Sequence, residues 1–262
     1  MPEEGAYPMK TRLACLTLSL AFAGVLLVQN PLARAESFAQ ATKSSSALPT
    51  MTAEERGDLD MARGQYLAAI EAYREAPVSA VTMNKLGIAY NHLLALDEAR
   101  RDYEKALLIR PDYPEALNNL GATDFLERRY KRAIQLYRKA LKLMPNSAVI
   151  AANLGTAYFA RGKYQDGLEA YQIAFRINPN VFDSESPSII SGPSDAHDRA
   201  RQDYCIAELY AHNGNQALAI DYLRRAFNDG FSDHSRLMQD TDFAMLRKTP
   251  EFAELMAEQK LH

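Results

Sequence analysis

A chain of 262 residues, 47% of them hydrophobic and 24% charged, holds enough apolar material for a sizeable core in one large domain or two small ones. Twelve Gly and twelve Pro exclude a collagen-like or proline-rich low-complexity chain. The net charge of −3 supplies no clustered basic footprint, so no nucleic-acid partner is expected.

The N-terminus has the layout of a secretory signal peptide. Lys10 and Arg12 precede an uncharged run, Leu13 to Val28, and Ala33 and Ala35 stand at a small-residue cleavage spacing. The run is 16 residues, short of the roughly 20 that span a bilayer as a helix. Residues 1–35 therefore read as a segment cleaved after Ala35, leaving an exported protein, periplasmic or secreted, with no stable membrane span. An uncleaved N-terminal anchor is the alternative, and Met9 competes with Met1 as the start. Cys15 opens the apolar run rather than following it, which argues against lipoprotein processing there. Cleavage would leave Cys205 alone, so the exported domain would rest on its core without a disulfide. The mature net charge would be −4.

Residues 36–50, rich in Ser, Ala and Thr, read as a flexible leader. From Met51 the hydrophobic pattern is helical, with no apolar alternation long enough for a strand. A repeat dominates it. Leu86-Gly87, Leu120-Gly121 and Leu154-Gly155 stand 34 residues apart, as do Tyr103, Tyr137 and Tyr171, then Ala106, Ala140 and Ala174, and Pro111, Pro145 and Pro179.

This pattern resembles the tetratricopeptide repeat, a helix-turn-helix unit of 34 residues. The resemblance covers about 51–231 and implies an all-α fold, an α-solenoid whose units stack into a right-handed superhelix with a concave side. The central units are 80–113, 114–147 and 148–181. The Gly and the later Ala are expected where the two helices of a unit cross, with Tyr90, Tyr103, Tyr137, Tyr158 and Tyr171 between units and each Pro ending a second helix. Two outer units, 51–79 and 199–231, depart from the pattern. Gly57, Ala69, Tyr73 and Ala76 keep its spacing, but the connection onward is four residues short. Inside the array Asp124 replaces an expected Tyr and Gly167 an expected Ala.

Residues 182–198 break the period and read as an inserted loop. Residues 232–262 read as a C-terminal helical cap, with Thr249-Pro250-Glu251 a helix start, Phe252, Leu255 and Met256 on one side, and Phe243 and Leu246 just before.

No catalytic motif is present, neither G-x-S-x-G, H-E-x-x-H, a P-loop nor G-x-G-x-x-G, so neither an enzyme nor a cofactor is expected. Asp195, His197 and Asp198 combine ligand types without a fixed metal spacing, and an ordinary solvated loop is the simpler reading, so no metal is expected. Cys205 reads as a packing residue rather than a nucleophile. The charged runs Glu98 to Arg101 and Glu127 to Arg132 read as solvated convex surface.

In the proteins this chain resembles, the first helix of each unit lines the groove. That implies a protein or peptide partner bound at Asn84, Ile88, Asn91 and His92, then Asn118, Ala122, Phe125 and Leu126, then Ala152, Thr156 and Phe159, with Tyr204, Glu208 and His212 in the last unit. The Asn side chains would bond a peptide backbone and the rings would take apolar side chains. Phe125 and Phe159 have packing as their alternative. One subtype clamps a C-terminal carboxylate with rows of Lys and Arg, and Glu115, Val149 and Ala152 at those positions do not support it. The implied function is a non-catalytic scaffold in the cell envelope or outside the cell. An organising subunit of an envelope enzyme or assembly complex is the second reading, and an enzyme the third.

Overall fold

The computed structural model describes residues 51–183 and 195–259, and the expected signal segment, the leader and most of the expected insertion lie outside them. Residues from Met51 onward form one compact unit. Ten helices make five consecutive pairs: α1 Ala53–Ala62 with α2 Tyr66–Glu75, α3 Ala80–His92 with α4 Leu96–Ile109, α5 Pro114–Leu126 with α6 Tyr130–Leu143, α7 Ala148–Phe159 with α8 Tyr164–Ile177, and α9 Ala196–His212 with α10 Gln216–Asn228. The described residues include no strand. Each helix packs chiefly on its pair partner and then on the next pair, which is the contact order of a solenoid.

Within a pair the small residue and the ring interlock. A Cβ on Gly121 would come 2.8 Å from a Tyr137 ring carbon, and on Gly87 or Gly155 it would come 2.5 Å from Tyr103 or 2.3 Å from Tyr171. Gly57 and Tyr73 repeat the contact at 2.3 Å, so the first outer unit is built like the central ones. In the last pair Ala207 and Leu223 hold these two places, both fully buried. A methyl gained on one helix is offset by the smaller side chain opposite, the exchange that close packing tolerates. These tyrosines therefore fill space inside their own pair rather than between units. Tyr90 does bridge pairs, accepting a hydrogen bond from Arg74 of α2 at 2.6 Å.

The four missing residues come out of a helix, not a connection. Helix α2 has 10 residues where α4, α6 and α8 have 14, while the linker 76–79 matches 110–113 in length. About one turn is lost, so α2 keeps its apolar face in phase with the next pair. Gly167 also has its reason, because a Cβ there would meet the Phe159 ring at 2.8 Å.

The charged runs are not wholly solvated. Arg100 of α4 is buried and bonds fully buried Asp124 of α5 at 2.7 Å, with Glu127 as its second partner and Arg132 3.1 Å from the other Asp124 oxygen. Arg100 stands where the following units have Ile134 and Leu168, and Asp124 where the units before and after have Tyr90 and Tyr158. Two departures from the repeat thus answer each other across one junction.

The expected insertion is shorter at both ends. Val181 and Phe182 are buried, Tyr210 donates to Asp183 at 2.6 Å, and α9 begins at Ala196. The C-terminal segment forms α11 His234–Gln239, two short 3-10 turns, and α12 Pro250–Glu258, whose N-cap Thr249 accepts from the Phe252 amide at 3.2 Å. Leu237, Phe243, Leu246, Phe252 and Leu255 are buried in the core of the last two pairs.

Candidate partner-binding groove

First helices of successive pairs touch, α3 on α5, α5 on α7 and α7 on α9, whereas successive second helices scarcely do. The first helices therefore lie on the inner side of the curve. Over α3, α5 and α7 this side is an open cavity of about 690 Å³. Its lining includes Asn84, Ile88, Asn91, His92, Asn118 and Ala122, six of the expected groove residues, together with Leu94, Glu115, Asn119, Val149 and Asn153.

A row of carboxamides crosses its floor. Asn119 Nδ2 donates to Asn84 Oδ1 at 3.1 Å, Asn118 Nδ2 to Asn119 Oδ1 at 3.3 Å, and Asn153 Nδ2 to Asn118 Oδ1 at 3.1 Å. Three helices are thereby tied through one polar chain. Each internal amide uses one N–H and one oxygen lone pair in the row, and a carboxamide carries two of each. Asn118 and Asn119 thus present fixed hydrogen-bonding capacity to the cavity. Asn119 and Asn153 were missed, although they too stand 34 residues apart, because the frame at 84 and 118 leads to Ala152.

Several expected groove residues are instead in the interior. Phe125 and Phe159 have no exposed surface, Phe125 packing on Tyr130 at a 5.2 Å ring separation and Phe159 on Tyr171 at 5.1 Å. Each sits a turn beyond the Gly, where the helix rolls its side chain toward its partner. Ala152 and Thr156 are buried as well, Thr156 sharing a hydrogen bond with the Tyr171 hydroxyl at 2.9 Å. Leu126 is half-buried and lies outside the cavity lining.

At the last pair the chain covers its own inner face. Tyr204 is buried beneath Phe231, stacked at 4.4 Å, and Phe243, and donates to Asp240 at 2.9 Å. Arg236 lies 4.7 Å from the Tyr204 ring centre and bonds Glu208 at 3.0 Å. His212 remains exposed, 3.0 Å from Asp242. Tyr204 and Glu208 are therefore not free for a partner. Burial, and then a hydrogen bond to Asp240, pushes the Glu208 carboxyl up to about 8.

The rim carries strain. Gly64, Gly162 and Gly214 close the turns inside their pairs with positive φ, but Leu94 and Arg128 hold that place with φ of 56° and 60°. A left-handed conformation costs a non-glycine residue about 1–2 kcal/mol. Leu94 is nevertheless 73% exposed and lines the cavity.

The other candidates have local explanations. Asp195, His197 and Asp198 bring ligand atoms within 4.8 Å of one another. Asp195 caps α9 through the Asp198 amide at 2.8 Å, Asp198 accepts from the Tyr164 hydroxyl at 3.4 Å, and His197 accepts from Arg201 at 3.4 Å. Cys205 is buried and its thiol is pushed up by that burial, away from the thiolate a nucleophile needs. No described helix is long and apolar enough to cross a membrane.

Two family models, both described as tetratricopeptide repeat, match residues 78–146 and 124–185. Residues 78–185 are tetratricopeptide repeats. Tetratricopeptide repeats typically bind other proteins, and a protein-interaction scaffold is the coarse function here. The repeat fold is shared with a solved structure from the functional characterisation of Pseudomonas aeruginosa pilF, 20% identical over 80% of this chain and 87% of that one, with a TM-score of 0.52. Two crystal structures of MamA are each 22% identical. One covers 70% of this chain and 96% of its own with a TM-score of 0.47, and the other 72% and 93% with 0.48. No curated protein matches the sequence.

Proposed function

We propose that this chain is a non-catalytic scaffold that holds an extended segment of another protein in the groove over α3, α5 and α7. The hydrogen-bonded row from Asn84 to Asn153 carries the reading. Its amides are fixed before any partner arrives, so little side-chain entropy is lost on binding. They meet the repeating N–H and C=O groups of an extended backbone, while Ile88, Ala122 and Val149 offer apolar contact between them. The setting we propose is the cell envelope or outside, from the Lys10 and Arg12, apolar run and Ala33 and Ala35 pattern.

Affinity capture with residues 36–262 on an envelope fraction supplies the partner, and titration supplies the test. Asn118→Ala and Ile88→Ala should weaken binding several-fold with the fold retained by circular dichroism, and Lys139→Ala on α6 should not. Parental affinity in both groove variants would remove the groove from the reading. N-terminal sequencing of the exported protein should begin near Glu36, and an intact Met1 or Met9 terminus would overturn the setting.

A further inference from the structure

The groove shows, at its closed end, what it accepts. Residues 231–243 of the chain itself lie on the inner face of α9, against Tyr204 and Glu208, the repeat counterparts of Asn118 and Ala122. The cation of that segment, Arg236, stacks on an aromatic ring and pairs with a carboxylate of the inner face. The first pair repeats the theme from the neighbouring helix. Lys85 reaches Glu54 and Asp58, the counterparts of Asn84 and Ile88, at 2.7 Å each. In both places an inner-face carboxylate is met by a cation of this chain.

The open stretch between them holds an inner-face carboxylate that no cation meets. Glu115, in the first turn of α5, is exposed, lines the cavity beside Asn118 and Asn119, and has no ion-pair partner among the described residues. No Lys or Arg lines this cavity, and its remaining lining is amide and aliphatic with Tyr103, Met144 and Ser147, and His92 stacked on Tyr66 at 4.5 Å. The counterpart of Glu115 in the pair before is Val81 and in the pair after Val149, so the charge is single and central.

We propose, building on the groove reading above, that the partner segment is basic: an extended stretch that sets one Lys or Arg against Glu115, with small aliphatic residues on Ile88, Ala122 and Val149. Leu94 borders this stretch and supplies an apolar wall at the expense of a strained turn. A carboxylate-bearing segment is disfavoured at the same place, since it would bring like charges together without a cation to separate them.

The test uses a displayed library of random nonapeptides selected against the purified protein, its Glu115→Gln variant and its Glu115→Lys variant. The parent should enrich sequences with one Lys or Arg at a fixed distance from an aliphatic residue. That preference should vanish with Glu115→Gln and turn acidic with Glu115→Lys. For one enriched peptide, Glu115→Gln should lower affinity about fivefold at low salt, and less at high salt, as an exposed pair does. Peptides that show no basic preference, yet lose binding on Asn118→Ala, would overturn this inference and leave the groove reading standing. Peptides indifferent to Asn118→Ala and Ile88→Ala, or no enrichment at all, would overturn both.

Discussion

The inner face of α9 and the inner face of α3, α5 and α7 have the same place in the repeat and opposite fates. On α9 the face carries Tyr204 and Glu208, and Phe231, Arg236, Asp240 and Phe243 bury them. On the three central helices it carries amides and small aliphatics and stays open. Large rings gain from being covered, and the chain supplies that cover from its own C-terminal segment, with Arg236 bonding the Glu208 carboxyl buried beneath it. Amides that bond one another satisfy much of their need without cover. A repeat thus becomes a cap seat or a binding site by the polarity of a few inner-face positions, with the backbone unchanged.

The largest effect should come from uncovering the closed end. Phe243→Ala removes a fully buried ring from against Tyr204 and should cost about 3–5 kcal/mol. Ile88→Ala, half-buried in the open stretch, should cost far less, and denaturant titration of the two variants measures the contrast. Equal midpoints would mean that the two faces are not differently filled.

The second effect is a pH dependence confined to the closed end. Burial pushes the Glu208 carboxyl up to about 8, above its ordinary range, with Arg236 pulling the other way. Its contribution is thus complete at acid pH, below the carboxyl's unfolded value, and fades as pH rises toward 8. The melting temperature of Glu208→Gln should fall less than the parent's between pH 5 and pH 8. Asp203, raised to about 7 by burial, contributes in the same direction and should leave some slope behind. An unchanged slope in Glu208→Gln would show that its carboxyl is not buried in this way.

A smaller effect of opposite sign belongs to the rim of the open stretch. Leu94→Gly relieves a left-handed leucine and should raise stability by about 1 kcal/mol while weakening partner binding. Binding measured beside thermal melting would separate the two. A variant that gains stability and keeps full affinity would leave the strain without a functional counterpart.

The smallest prediction concerns the floor. Tyr137 is fully buried and its hydroxyl has no hydrogen-bond partner among the described residues, whereas Tyr171 shares one with Thr156 and Tyr73 donates to Asp58 at 2.8 Å. Ala122 stands where those pairs have Thr156 and Asp58. Ala122→Thr should therefore give the hydroxyl its partner and stabilise the chain by about 1 kcal/mol, as thermal melting would show.

Period and helix identity were legible because each Gly-to-Tyr contact recurs at one spacing, so the sequence repeats what the packing repeats. Groove membership was legible only in part. A frame carried from unit to unit places a residue within a turn of the inner face but not its rotation, and the face turns inward over the last turn of a first helix. Phe125 and Phe159 thus entered the core although Asn91, their counterpart in the preceding unit, lines the cavity. The C-terminal cap was legible from its apolar residues, but not that it would cover Tyr204. That covering depends on contacts between residues 204 and 243, and no local pattern announces a segment that folds back on an earlier helix.

The Arg100 and Asp124 pair bears on the order of the array. A solenoid is close to a one-dimensional chain of units held by nearest-neighbour couplings, and units with similar couplings are interchangeable in principle. Here one coupling is made from two halves that fit only each other. The unit ending in α4 has to precede the unit beginning with α5. Transposing two central units would set Arg100 against Tyr158 without Asp124 or Glu127, and an uncompensated buried charge costs about 3–5 kcal/mol. The pair therefore works as a key against misregistered stacking.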